Sequence, residues 1–288
     1  MSGRKLIIVL GPTAVGKTDY SIELALSHGS PVISCDSRQI YKEMSIGTAV
    51  PSAAQLAAVR HYFIQTKSVT EDYSAGLYEI EALSLIGRLF DEGHETLVMT
   101  GGSMYYIDAI CNSLGHIPTA DPSFRALLQE RLEREGIDSF KDELARLDPA
   151  AYASMDLSNH QRVFRAVEIC LSTGQPYSSF KERPSATVRD FEIEKIGLAR
   201  PREALYDRIN RRVLDMVDNG LVDEVRGLER YRNLTALQTV GYKEIFDYLD
   251  GSVSLEEAVE LIQRNTRHYA KKQLTWWRRD PSIRWMEL

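Results

Sequence analysis

Hydrophobic positions in this chain fall into two textures. Three short apolar runs, KLIIVL at 5–10, PVISC at 31–35 and ETLVMT at 95–100, are rich in β-branched residues and stop at Gly11-Pro12, Asp36 and Gly101-Gly102. Runs this short that are apolar at every position read as strands buried on both faces. A helix is expected from Gly16 to about Ser27, and residues 74–93 carry the 3.6-residue periodicity of an amphipathic helix. Strands alternating with helices imply a parallel sheet of βαβ units with ligands at the carboxyl ends of its strands. After Gly115 the texture becomes helical: residues 121–136, 138–147 and 160–174 each open on a plausible cap, and the first and last close on Gly136 and Gly174. FEIEKIGLA at 191–199 reads as a strand returning to the sheet, with a helix starting near Pro201. Ser254 and Glu257 form a capping box that opens a long helix to about Arg279.

Composition narrows the class. The 288 residues are 43% hydrophobic and 26% charged, the proportions of a globular protein with room for one large domain carrying an insertion. No apolar run approaches the ~20 residues needed to span a bilayer, so no membrane association and a cytoplasmic location are expected. Cys35, Cys111 and Cys170 are odd in number and widely spaced, which argues for reduced thiols, and the histidines lack the spacing of a zinc site. Any metal should be a hard cation. The net charge of −6 argues against a nucleic-acid binder until it is resolved along the chain. From Leu261 to Leu288, seven Lys and Arg oppose only Asp280 and Glu287, a local excess of five that leaves −11 on the remainder.

The strongest chemical signal is Gly11-Pro12-Thr13-Ala14-Val15-Gly16-Lys17-Thr18, a complete GxxxxGK[ST] between a strand and a helix. Such a loop cradles phosphate with backbone N–H groups and a helix N-terminus, adds the Lys17 charge, and lets the Thr18 hydroxyl reach a phosphate-bound Mg²⁺. The fold class is therefore α/β, a P-loop NTPase-like parallel sheet flanked by helices with an all-helical insertion: core 1–115, insertion 116–190, core 191–288. Most such loops serve phosphoryl transfer, yet the run at 95–100 ends in Thr100 where a Walker B strand would carry Asp. The carboxylate stands instead at the tip of the second strand, as Asp36, where a general base for an incoming nucleophile would face the phosphate. Spacing alone leaves open a turn Asp that caps Arg38 or a backbone N–H. Arg208 and Arg212, one helical turn apart, either clamp the phosphates from the opposite side or are solvated arginines among Asp207, Asp215 and Asp218.

Further segments extend the pattern: DSRQIYKEMSIGTAVP at 36–51, GGSMYY at 101–106, QRVFRAVEI at 161–169, TVGYKE at 239–244 and HYAKKQLTWWRRD at 268–280. Together with GPTAVGKT, and in this order, they resemble the signature segments of tRNA dimethylallyltransferases. The resemblance implies transfer of a dimethylallyl group from dimethylallyl diphosphate to N6 of adenosine 37 in tRNAs reading codons that begin with U, with Mg²⁺ as cofactor. The loop would then hold a leaving diphosphate rather than ATP, consistent with the missing Walker B acid. On this resemblance Asp36 is the base, and Thr13 and Thr18 bind the diphosphate, Thr18 being counted as catalytic; the arginine spacing adds Arg208 as a catalytic and Arg212 as a diphosphate-binding candidate. Asp36, Ser37, Arg38 and Gln39 contact the adenosine, which must be flipped from its stack to be reached. Ser103 (where Thr is usual), Arg125, the stretch Gln161, Arg162, Val163, Phe164 and Arg165, and the stretch Gln238, Thr239, Val240, Gly241, Tyr242 and Lys243 match further tRNA contacts. The insertion is expected to grip the anticodon stem-loop, and the enzyme to act as a monomer. Tyr269, Trp276 and Trp277 on the basic terminal helix either offer stacking surface to RNA or anchor that helix to the core. Two rivals share the loop: a small-molecule or nucleoside kinase that consumes ATP, and a non-catalytic RNA-binding protein.

Overall fold

The computed structural model describes residues 3–113, 121–181 and 189–288. Strand β1 (Lys5–Leu10) is followed by helix α1 (Lys17–Ser27), β2 (Val32–Ser34), α2 (Ala53–Ala58), β3 (His61–Tyr62), α3 (Ala75–Asp91), β4 (Thr96–Thr100) and α4 (Met104–Asn112). Helices α5 (Pro122–Leu147), α6 (Pro149–Ser154) and α7 (His160–Thr173) come next, and then β5 (Glu192–Ala199), α8 (Arg202–Asp218), α9 (Leu221–Gly227), α10 (Tyr242–Leu249), α11 (Leu255–Trp277) and β6 (Ile283–Glu287). The chain divides into two compact units, Met1–Cys111 with Arg189–Leu288, and Asn112–Val188. The boundary expected at residues 115 and 116 lies outside the described residues.

In the first unit the described strands form one sheet in the order β3-β2-β4-β1-β5-β6, every pair parallel. β1 is central, with Lys5 opposite Thr96 on one side and Glu192 on the other. Its alternation sorts the core. Leu6, Ile8 and Leu10 pack with α3 and α4 residues such as Tyr78, Ala82 and Ile107, whereas Ile7 and Val9 pack with Ala25 of α1 and Leu205 and Ile209 of α8. Both faces are covered, which is why the strand is apolar throughout. Because the strands are parallel, β1, β2 and β4 deliver their carboxyl ends, at Gly11, Cys35 and Gly101, to the same edge.

A second cluster packs the loop after β2 against α8 to α11, through Ile40 and Met44 with Val213, Leu221 and Tyr242. Glu224 of α9 organises it. Its carboxylate accepts from the backbone N–H groups of Ser45 (2.9 Å), Ile46 (2.7 Å) and Gly47 (3.0 Å) and from the Tyr242 hydroxyl (2.6 Å). Burial pushes the Tyr242 phenol up, and the neighbouring Glu224 carboxylate adds to the shift. Gly47 is dictated by close approach: a Cβ there would lie 2.5 Å from the Tyr242 ring.

Where the chain re-enters the sheet unit, Arg189 donates to the carbonyls of Ile110 (2.9 Å) and Ala109 (3.1 Å) and pairs with Glu79 at 3.3 Å. It thereby caps the end of α4, the helix on which the chain leaves the unit.

The helical unit has its own core, built on Phe140, Leu144, Val163, Phe164 and Val167. α5 is two helices in sequence: Gly136 (φ 77°, ψ 169°) breaks it where the glycine was expected to close the first. The Asn159 side chain caps α7 by accepting from Arg162 N–H, and Gly174 (φ 70°) ends it. The capping box at Ser254 and Glu257 is formed as the sequence predicts, and α11 runs from Leu255 to Trp277. β3 and β6 were not expected. β3 is two residues long, and β6, IRWME, is an edge strand whose exposed Arg284 and Glu287 mask its pattern.

Replacing Gly47 with Ala is expected to destabilise the protein by about 1–3 kcal/mol through overpacking against Tyr242. Urea unfolding followed by circular dichroism measures this, and a midpoint shift corresponding to less than a few tenths of a kcal/mol would contradict the packing described.

Candidate functional site

The phosphate-loop segment folds as its spacing requires, between β1 and the first turn of α1. Its carbonyl oxygens are held by cations. Lys17 Nζ donates to the carbonyls of Gly11 (2.9 Å) and Pro12 (3.0 Å), Arg208 Nε donates to Ala14 O (2.8 Å), and Arg200 Nε donates to Val15 O (2.8 Å). Three positive side chains therefore converge on one short loop, the field that an oligophosphate needs. Burial is the main cause that lowers the Lys17 ammonium to about 8; the charge of Arg212 lowers it further, and Asp36 and Cys35 oppose the shift. Arg212 is itself pulled below the usual guanidinium range by burial and then by Arg208. Arg208 and Arg212 line the same cavity as the loop; Arg212 is half-buried, whereas Arg208 is exposed and tied to the loop through its bond to Ala14 O.

That cavity, about 200 Å³, is walled by Thr13, Lys17 and Thr18 on one side, Asp36 and Gln39 on another, and Arg208, Arg212, Tyr269 and Gln273 on α8 and α11. Asp36 stands two residues past the end of β2. Its Oδ1 accepts from the N–H groups of Arg38 (2.8 Å) and Gln39 (3.2 Å), so the turn-capping alternative is realised with one oxygen. Oδ2 faces Gly102: a Cβ built there would lie 3.9 Å from Asp36 Oδ2, 3.9 Å from Lys17 Nζ and 2.7 Å from Gln273 Nε2. The carboxylate and the ammonium thus both border Gly102, where an added side chain would press on the Gln273 amide.

Neighbouring predicted residues are fixed with it. The Ser103 hydroxyl, nearly buried, accepts from Ser37 N–H at 2.8 Å and donates to the Ser37 hydroxyl at 3.0 Å. Gln39 donates both amide hydrogens, to Thr48 O (3.0 Å) and Ala49 O (2.8 Å), which fixes the amide orientation and leaves its Oε1 as an acceptor on a residue that lines the cavity. Thr48 and Ala49 belong to the loop that Glu224 holds, so the Glu224 carboxylate and Gln39 are linked through that loop.

The remaining predicted residues separate by exposure. Val163 and Phe164 are buried in the helical core, so their side chains offer nothing to a ligand; of that stretch Gln161 and Arg162 are exposed and Arg165 is half-buried. Arg165 and Arg125 both pair with the fully buried Glu168, Arg125 at 3.7 Å. In the other stretch Gly241 and Tyr242 are buried, Tyr242 being committed to Glu224, while Gln238 and Lys243 are exposed and Thr239 and Val240 partly so. Trp277 is a core residue and Trp276 packs edge-on to Tyr105 at 5.3 Å, while the Tyr269 hydroxyl donates to Gly102 O at 3.3 Å. Sequence reasoning missed Gln273, Arg200 and Glu224. The available signal for Gln273 was an amide in the otherwise apolar stripe of Ala258, Ile262, Ala270 and Trp277 on α11.

Known proteins similar to this chain belong to one family. A family model described as IPP transferase matches residues 39–280. A Porphyromonas gingivalis protein named tRNA dimethylallyltransferase 2 is 51% identical over 97% of this chain and 93% of its own length, and a Bacteroides thetaiotaomicron tRNA dimethylallyltransferase 1 is 50% identical over 97% and 90%. Among solved structures, a full-length tRNA isopentenylpyrophosphate transferase from Bacillus halodurans superposes with a TM-score of 0.71 at 38% identity, covering 99% of this chain and 90% of that one. A eukaryotic dimethylallyltransferase described as acting on tRNA gives 0.80 at 26% identity, covering 99% and 74%.

The lowered Lys17 ammonium sets a pH dependence. A cation whose folded pKa lies below its unfolded value costs stability in full below about 8, and the cost disappears as pH rises toward 10.5. The stability advantage of Lys17→Met over the unliganded wild type should therefore shrink by roughly 2 kcal/mol between pH 7 and pH 10. Paired urea titrations check this; a pH-independent difference would contradict it.

Proposed function

The chain belongs to the IPP transferase family, and on that premise we infer that it transfers a dimethylallyl group from dimethylallyl diphosphate to N6 of adenosine 37 in tRNAs reading codons that begin with U. The products are N6-isopentenyladenosine and diphosphate. The observation that carries the assignment of roles is the approach of Asp36 Oδ2 and Lys17 Nζ to Gly102, which sets a proton acceptor beside a phosphate-binding charge.

The diphosphate of the donor lies in the loop, among the backbone N–H groups of residues 14 and 16–18, with Lys17, Arg208 and Arg212 countering its charge. As the C–O bond of the allylic ester breaks, negative charge grows on the leaving diphosphate, and cations already in place stabilise it without reorganisation. The adenosine enters flipped. Asp36 Oδ2 takes one N6 proton as nitrogen attacks the allylic carbon, and Gln39 Oε1 accepts the other amine hydrogen and aims the lone pair. Ser37 and Ser103 brace the turn that holds Asp36. A hard cation fits this site. Among the described residues no group of three or more His, Cys, Asp or Glu is placed to ligate a metal, and Mg²⁺ is commonly held by one or two protein oxygens together with phosphate and water. Thr18 would supply the protein oxygen, and the ion, when bound, would neutralise charge on the leaving diphosphate.

The kinase reading lacks its acid, since β4 ends in Thr100, whose hydroxyl donates to Val9 O at 3.3 Å, and the family relationship favours prenyl transfer. Exposed Gln161, Arg162, Gln238 and Lys243, with Arg125 and Arg165, supply RNA contacts in this reading, and the helical unit grips the anticodon stem-loop. No helix among the described residues is long and apolar enough to cross a membrane, and a tRNA substrate supports a cytoplasmic location.

Asp36→Asn is expected to keep affinity for dimethylallyl diphosphate while losing at least the roughly 100-fold in transfer rate typical of a missing base. Mass analysis of tRNA nucleosides after incubation with the purified protein reads this, and unchanged turnover would remove Asp36 from the role. Arg125→Ala should weaken tRNA binding and reduce the slope of log affinity against log salt by about 1, with donor affinity unaltered. Filter binding at several salt concentrations gives the slope, and an unaltered slope would place Arg125 outside the interface.

A further inference from the structure

α11 buries a stripe of Ala258, Ile262, Ala270 and Trp277 against the sheet unit, and in that stripe stands Gln273, 1% exposed. Burying an amide is costly unless both its ends are bonded, and an apolar side chain would fill the same space without that cost. Both ends are bonded, and both to the active-site frame. Oε1 accepts from the Thr13 N–H of the phosphate loop at 2.9 Å, and Nε2 donates to Gly102 O at 2.8 Å, a carbonyl that also accepts from Tyr269 at 3.3 Å. The donor and acceptor identities of the two partners permit one orientation of the amide.

We propose that Gln273 is a positioning residue for the transfer reaction: its carboxamide spans from the phosphate loop to Gly102 and sets the width of the slot in which diphosphate and amine meet. This rests on the reading of the site given above. Lys17 Nζ and Asp36 Oδ2 both approach the position of a Gly102 Cβ, and Nε2 of Gln273 lies nearer still, at 2.7 Å. The amide therefore bonds both the phosphate loop and the segment that Asp36 and Lys17 border. It ties down Thr13, at the mouth of the loop, and the carbonyl of Gly102, beside which Asp36 must act. The anchor is α11, the helix that also carries Arg264, Arg267, Lys271 and Lys272.

Two substitutions test it. Gln273→Leu removes both bonds at similar volume. It should weaken inorganic diphosphate binding and raise KM for dimethylallyl diphosphate by about 10-fold or more, the cost of an unpaired buried donor and acceptor, with tRNA affinity within about twofold of wild type. Gln273→Glu gives the sharper readout. As a carboxylate it sets an oxygen against Gly102 O and should bind diphosphate worse than the Leu variant at pH 8. Once protonated it restores the pattern, donating O–H to Gly102 O and accepting from Thr13 N–H, so diphosphate affinity should recover as pH falls toward 6, with wild type measured in parallel to remove the ligand's own titration. Isothermal titration with inorganic diphosphate and steady-state kinetics supply the measurements, with near-ultraviolet circular dichroism as the check on folding. Should the Leu variant not fold, the pH profile of the Glu variant decides alone. Diphosphate affinity equal to wild type in folded variants, or a Glu variant with no pH recovery relative to wild type, would overturn the proposal. Wild type that binds diphosphate but transfers no prenyl group to tRNA would overturn the proposed reaction instead and leave the diphosphate titrations to judge Gln273.

Discussion

The phosphate loop ties the carbonyl oxygens of Gly11, Pro12, Ala14 and Val15 to Lys17, Arg208 and Arg200, and the rest of the site follows from that concentration of positive charge. With those carbonyls engaged by cations, the loop presents its amide edge and its positive field to the cavity. Such a site is poised for an anion, and the lowered Lys17 ammonium records the electrostatic work of assembling it. Asp36 and Asp19 are carboxylates set against that field, Asp36 interacting with Lys17 and Asp19 with Arg212.

Support for the loop and the carboxylate comes from distant parts of the chain. Arg200 stands where β5 ends, Arg208 on α8, Gln273 on α11, and Glu224 on α9 steadies the 45–47 loop whose continuation holds Gln39. Each is a polar side chain bonded to main-chain atoms of the active-site loops, so those loops are held by directional bonds rather than by packing alone. Catalytic geometry requires this, because a misplacement of about 1 Å can cost 100-fold in rate.

What could be read in advance follows from the range of the interactions. β1 and α1 with the loop between them were legible because the motif and its flanking apolar run are local, and the α11 start was legible because a capping box is complete within four residues. Asp36 was visible as a polar stop after an apolar strand. Gln273 was not, since its partner Thr13 lies 260 residues away and no local rule marks an amide in an apolar stripe as anything but a blemish. Val163 and Phe164 show the converse error. Matching a stretch as a unit ignores the helical period, which turns these two residues of the five into the helical core. Tyr242 repeats it, being turned inward to Glu224.

Arg189 carries one more implication. By bonding the last carbonyls of α4 at the very point where the backbone comes back, it keeps the two cut ends of the sheet unit side by side, whatever polypeptide is strung between them. The neighbouring strand pairings of β1 with β4 and β5 are thereby spared any pull from the intervening helices, because both chain ends are anchored within the sheet unit itself.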